Sequence, residues 1–128
     1  MNIAFFCIVL ASGMPLLLTL ISKMGGSKHD TRYDNREPRA FLAGLSGWPQ
    51  RANWAQQNSW EALPLFMAGI LMASFAHVPQ PTIDLWAIIF VLARVLYAGL
   101  YIANYASLRS LVWAVGTLAS LRLMVAAL

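Results

Sequence analysis

The chain has 128 residues, of which 59% are hydrophobic and only 11% are charged, whereas a soluble domain is about 45–50% apolar and about 25% charged. The mean hydropathy is +0.62. This composition excludes a disordered chain and a disulfide-stapled secreted domain, and it argues against a soluble enzyme. It favours a polytopic membrane protein. Cys7 is the single cysteine and there are two histidines, so we expect no internal disulfide and no metal site.

Four stretches are apolar enough to form membrane helices, and they predict one transmembrane domain over residues 1–128. The helices are expected at about 2–22, 46–76, 83–103 and 107–127. The first stretch is free of charge, and about 20 helical residues cross the hydrocarbon core. A signal peptide is the alternative for this stretch, but a positive n-region and a clear cleavage site are missing. The expected fold is all-α, an integral membrane four-helix bundle.

The positive charges predict the orientation of the bundle. Residues 23–38 form a polar loop in which Gly25 and Gly26 are expected to break the helix. The second connection carries no Lys or Arg, and Arg109 lies beside the third. Loops 1 and 3 are therefore expected in the cytoplasm. The net charge of +4 thus reflects membrane orientation rather than nucleic-acid binding. The basic residues in or beside the first connection are Lys23, Lys28, Arg32, Arg36, Arg39 and Arg51.

Two polar stripes interrupt the second and third predicted helices. Spacings of three and four residues place the members of each stripe on one helix face. Charges inside a span are costly, so they need a reason. Because consecutive helices run antiparallel, the stripes can converge on one cavity in the cytoplasmic half. The first stripe is Arg51, Trp54, Asn58 and Glu61, flanked by Gln56 and Gln57; the second is Arg94, Tyr97, Tyr101 and Tyr105.

A purely structural interpretation of these stripes is open. Glu61 can pair with Arg94 to hold two helices together, while Asn58 and the tyrosines can bridge helices or form an interfacial belt. Arg109 and Ser110 at the start of the fourth helix have two interpretations as well. A helix N-terminus with an added arginine is an anion site that stabilises a thiolate. The alternative is an interfacial arginine bound to lipid headgroups.

The two stripes lie in runs that resemble the signatures of a known family. Residues 51–66, RANWAQQNSWEALPLF, are similar to the helix 2 signature of the MAPEG family, membrane-associated proteins in eicosanoid and glutathione metabolism. Residues 94–101, RVLYAGLY, followed by Leu108-Arg109-Ser110, are similar to its second signature. The resemblance covers nearly the whole chain and is nearest to bacterial-type members. It implies a homotrimer that binds glutathione as co-substrate in cytoplasm-facing clefts between subunits.

The resemblance also implies roles for individual residues. Arg109 would stabilise the glutathione thiolate, with Ser110 beside it as the second catalytic residue. The glutathione-binding residues would be Gln56, Asn58, Glu61, Arg94, Tyr97 and Tyr101, with Arg36 or Arg39 on a glutathione carboxylate and Arg51 as a further basic residue. Eicosanoid-forming members carry an arginine four residues before the helix 2 asparagine. Here Trp54 stands at that position, and the nearest arginine is Arg51.

Two functions follow as hypotheses. The first is a glutathione-dependent transferase or peroxidase of the bacterial inner membrane, which activates the thiolate against a small apolar electrophile arriving through the lipid. The second is a non-catalytic membrane protein that binds a lipid or a partner. Trp54 and the aromatic-rich spans motivate the second, because the same fold includes a non-enzymatic lipid-binding relative.

Overall fold

The computed structural model describes residues 2–29 and 32–128, except for the side chain of His29, and the described residues form helices and no strands. Four long helices correspond to the four predicted ones. A fifth, short helix was not predicted from the sequence; it begins at Pro38, whose fixed φ suits the first turn of a helix. The helices are α1 (Ile3–His29), α2 (Pro38–Ala43), α3 (Gly47–Phe75), α4 (Gln80–Ile102) and α5 (Ala106–Ala126).

Helix α1 continues beyond residue 22, where the polar loop was expected to begin. Gly25 and Gly26 lie inside it, and both are buried. A Cβ on Gly25 would collide with the indole of Trp48, and one on Gly26 would collide with Leu45. The two glycines therefore let Leu45 and the first turn of α3 pack directly onto the α1 backbone, rather than ending the helix.

The core lies where α1, α3, α4 and α5 meet. The rings of Phe66 and Phe90 stack with their centroids 3.8 Å apart. One turn further along α3, Gly69 permits close approach to α5, because a Cβ there would lie 2.9 Å from the carbonyl oxygen of Ser120. Helix α1 packs against α3 and α4. The backbone N–H of Ala4 donates to the Asp84 carboxylate at 2.9 Å, which fixes the first turn of α1 beside the start of α4.

The outer surface of the bundle is apolar. Leu92, Leu111 and Leu118 are each more than 60% exposed, and such a surface is stable only against lipid or another chain. Residues Ile3–Lys28, Gln80–Ile102 and Ala106–Ala126 form three helices that are long and apolar enough to cross a membrane. Helix α3 is long as well, but its first half carries the polar stripe. The protein is an integral membrane protein.

A tight turn and a side-chain hydrogen bond bring together the start of α3, the end of α4 and the start of α5. Asn104 follows α4 with φ of 68°, the left-handed conformation that Asn tolerates best after Gly. Asn104 and Tyr105 donate to the carbonyls of Tyr101 and Leu100, which is a Schellman ending. Arg51 of α3 donates from Nε to the carbonyl of Ile102 at 2.9 Å. The polar first half of α3 therefore lies beside the end of α4 and the start of α5.

Candidate functional site

A buried arginine joins the two polar stripes. Arg94 is only 3% exposed. Its Nη1 donates to Asn58 Oδ1 at 3.0 Å and its Nη2 donates to Ser59 Oγ at 3.1 Å. Asn58 Nδ2 in turn donates to Glu61 Oε2 at 3.2 Å. Asn58 thus connects Arg94 to Glu61, and it fixes the carboxylate of Glu61 at the surface of the bundle.

A ladder of aromatic rings and cations runs along α4 towards the start of α5. The Arg94 guanidinium lies 4.2 Å from the Tyr97 ring centroid, and Arg109 lies 4.2 Å from that of Tyr101. The two tyrosine rings meet edge to face at 5.5 Å. Trp54 approaches Tyr101 from α3, with ring centroids 6.3 Å apart. Each cation is attracted by the electron-rich face of its ring, so the ladder holds both arginines in place.

Arg109 and Ser110 lie in the first turn and a half of α5. Tyr105, at the N-cap, makes no side-chain hydrogen bond to the helix. The first backbone N–H groups of α5 are therefore not capped by this side chain and can donate to a ligand. The helix dipole adds partial positive charge at this end. Ser110 is exposed, and its Oγ donates to the Ala106 carbonyl at 3.1 Å. This end of α5 therefore combines a fixed cation, free donors and a hydroxyl.

These side chains surround one cleft, which we call the α3–α5 cleft. It has two compartments of about 390 and 220 Å³ that share Asn58, Tyr97 and Tyr101, a size typical of small-molecule sites. One end presents the carboxylate of Glu61, and the other presents Arg109 and Ser110. The cleft is lined by Trp54, Gln57, Asn58, Glu61, Tyr97, Tyr101, Arg109, Ser110 and Trp113.

The remaining predicted site residues lie elsewhere. Arg51 is directed to the end of α4 by its bond to Ile102. Gln56 lies two residues before Asn58, about 200° round the helix. With Arg39 of α2 it lines a second depression of about 350 Å³, which adjoins the cleft at Gln57 and which we call the loop-side depression. Arg36 is exposed in the segment before α2, where its N–H donates to Asp34 at 2.9 Å.

Sequence reasoning missed three residues that the structure places at the cleft or at the loop-side depression. Ser59 accepts a hydrogen bond from Arg94, although it lies off the polar stripe. Trp113 lines the cleft beside Arg109. Asn53 lines the loop-side depression, and its buried Oδ1 has no partner among the described residues. Trp113 follows Arg109 by four residues, so the periodicity that was applied to the other helices would have found it.

Comparison with known proteins agrees with the signatures in α3 and α4. The model of the MAPEG family matches residues 3–128. No significant match was found among curated proteins or among solved structures. Members of the family generally use glutathione and commonly form oligomers. Since the match spans nearly the whole chain, this integral membrane protein belongs to the MAPEG family.

Proposed function

We propose that the protein is a membrane-bound, glutathione-dependent transferase or peroxidase, and that the α3–α5 cleft binds glutathione. The observation that carries this proposal is the placement of one fixed carboxylate and one fixed arginine at opposite ends of the same cleft. Glutathione presents one ammonium, two carboxylates and a thiol. Glu61 is suited to the ammonium, and Arg109 is suited to the thiolate.

The chemistry rests on lowering the pKa of the bound thiol. A free cysteine thiol has a pKa of about 8.5, and a nearby cation or helix N-terminus lowers it. In the transferase reaction the thiolate forms a bond to an electrophilic carbon, and the leaving group departs with its electron pair. In the peroxidase reaction the thiolate attacks a peroxide oxygen and releases an alcohol, and a second glutathione then gives the disulfide and water.

The proposed assembly is a homotrimer in which each cleft lies between two copies. Gln56 and Arg39 lie on the opposite side of α3 from Asn58, so one chain does not present all of the predicted glutathione ligands to one molecule. In a ring of copies, the loop-side depression of one subunit faces the cleft of the next. Arg39 of the neighbour would then bind a glutathione carboxylate, for which the forked guanidinium is well suited. Loops 1 and 3 are proposed to be cytoplasmic, in a bacterial inner membrane.

The proposal is tested by turnover of the purified oligomer in lipid nanodiscs. We expect glutathione-dependent conjugation of 1-chloro-2,4-dinitrobenzene or reduction of cumene hydroperoxide. Sharing of the site is tested by co-expressing Arg39→Ala and Arg109→Ala subunits. If each cleft takes Arg109 from one copy and Arg39 from its neighbour, random mixing of the two variants restores both arginines in about one cleft in four. The mixture, assayed at glutathione concentrations below KM, should then exceed the mean of the two separate variants. A mixture that equals the mean would place both residues in one copy or outside the site.

The alternative is a non-catalytic membrane protein that binds a lipid or partner in the same fold. Its support is the aromatic ring of Trp54 in the cleft and an apolar groove of about 330 Å³ between α1 and α4, lined by Val9, Leu10, Gly13, Met14, Leu17, Val91 and Val95. Glutathione titration separates the two functions. Saturable binding favours the enzyme, and a folded oligomer that binds no glutathione favours the alternative.

A further inference from the structure

A third cavity lies deeper in the bundle than the α3–α5 cleft, between α3, α4 and α5. It measures about 190 Å³ and adjoins the cleft at Asn58, Glu61 and Trp113. We call it the inter-helix cavity. Its walls are apolar at Leu65 and Phe90. An engineered apolar cavity of about 150 Å³ holds benzene, so the inter-helix cavity has room for a group of that size.

Arg94 lines this cavity without supplying a donor to it. Its two Nη atoms are bonded to α3, and its Nε has no hydrogen-bond partner among the described residues. The Cδ atom next to Nε lies 3.8 Å from the position that a Cβ on Gly116 would take, and Nε is fully buried against its neighbours. An occupant of the cavity therefore cannot reach Nε, and Arg94 contributes its positive charge rather than a hydrogen bond.

Thr117 supplies a donor from the wall of the cavity that α5 forms. It lies one residue after Gly116 and lines the cavity, and its hydroxyl makes no hydrogen bond within the described part of the chain. Ser120 lines the same cavity, but its hydroxyl is buried and donates to the Gly116 carbonyl at 3.3 Å. The two hydroxyls on one helix thus differ, because that of Thr117 is free to bind an occupant.

The charges at the cavity indicate what kind of molecule can enter. Glu61 and Arg94 both line it and carry opposite charges. A neutral group is therefore favoured over an anion, which would meet the carboxylate. We infer that the inter-helix cavity binds the neutral, oxygen-bearing end of an apolar molecule, with the Thr117 hydroxyl donating to the oxygen. The assignment of this cavity to the second substrate rests on the proposed function. The binding of such a molecule in the cavity does not depend on that function.

The experiment compares two ligands of the same shape in the absence of glutathione. The probes are 4-fluoroacetophenone and 4-fluoro-α-methylstyrene, in which a CH₂ group replaces the carbonyl oxygen. Binding to the protein in nanodiscs is followed by the ¹⁹F chemical shift, with empty nanodiscs as the background. We expect the ketone to bind more tightly by at least about fivefold, which corresponds to one hydrogen bond of about 1 kcal/mol. Equal affinity, or no binding of either probe, would overturn the inference.

Variants locate the binding site. Thr117→Val keeps the size of the side chain and removes its hydroxyl, so we expect it to weaken ketone binding by about fivefold and to leave the styrene unchanged. Ser120→Ala is the matched control and should change neither. Ala62→Leu fills the cavity from α3 and should abolish binding of both probes. Equal losses in Thr117→Val and Ser120→Ala, or full binding in Ala62→Leu, would contradict this site. Because glutathione is absent, failure here is distinct from failure of the proposed function.

Discussion

Helix α3 has two polar faces that differ in how they are completed. On the cleft face, Asn58 and Glu61 are bonded to each other, and Asn58 is also bonded to Arg94. On the loop side, Gln56 lines an open depression, and the buried Oδ1 of Asn53 has no partner among the described residues. On the cleft face, one chain thus bonds the polar side chains of α3 to one another and to Arg94. The loop side has an open depression and an unpaired buried acceptor, as expected of a surface that a second molecule covers.

This difference separates two requirements of the proposed site. The thiol-activating part must be rigid, and Arg109 is held by its contact with Tyr101. The part that binds the remote carboxylates can come from another copy, because its role is positioning rather than chemistry. Substitutions of single residues test these roles, and the largest effect is expected at Arg109.

Arg109→Ala removes the cation next to the proposed thiol. We expect kcat/KM for conjugation to fall by about 100-fold, since loss of a donor that stabilises developing charge typically costs this much. The matched control is Arg122→Ala, which removes an exposed arginine from the other end of the same helix and should change kcat/KM by less than about twofold. Equal losses in the two variants would mean that α5 needs positive charge only for structure or lipid contact.

Glu61→Gln removes the carboxylate proposed for the glutathione ammonium. We expect glutathione to bind about 30-fold more weakly, as a charged hydrogen bond contributes about 2 kcal/mol. The des-amino analogue of glutathione, which lacks the ammonium, should bind the variant and the unaltered protein equally. Calorimetric titration of both ligands measures this. A similar loss for both ligands would assign Glu61 a structural role through Asn58.

Arg39→Ala and Arg36→Ala separate the two arginines that the sequence leaves as alternatives. Arg39 lines the loop-side depression and Arg36 does not. We expect Arg39→Ala to raise KM for glutathione by about tenfold with kcat unchanged, because it removes binding that is equal in the ground and transition states. Arg36→Ala should change KM by less than about twofold. The reverse result would move the carboxylate contact to the segment before α2.

The packing of the second half of α3 against α5 should respond to one methyl group. A Cβ on Gly69 would lie 2.9 Å from the Ser120 carbonyl oxygen, whereas a Cβ on Gly99 of α4 would meet nothing within 4 Å. We expect Gly69→Ala to lower stability by about 1 kcal/mol or more through overpacking, while Gly99→Ala is neutral or stabilising. Thermal unfolding in nanodiscs measures both. Two equal changes would contradict the close α3–α5 contact.

The sequence predicted the long helices and the convergence of the stripes more successfully than the connections. Helical spacing shows that Asn58 and Glu61 share a face, and that Arg94, Tyr97 and Tyr101 share another. It does not show that Asn58 lies between Arg94 and Glu61, because that depends on the relative rotation of α3 and α4. Nor does it show that Gly25 and Gly26 continue α1. The helix continues through these glycines because Trp48 and Leu45 pack against them. Local helix propensity carries no information about that tertiary contact.

The most direct test of a thiol-activating cleft is the ultraviolet absorbance of the thiolate. Glutathione is titrated into the purified oligomer at neutral pH, with Arg109→Ala in parallel. The account predicts a saturable thiolate signal, with an apparent thiol pKa below the usual value of about 8.5, and loss of that signal in the variant. A folded oligomer without this signal, or an unchanged signal in Arg109→Ala, would contradict it.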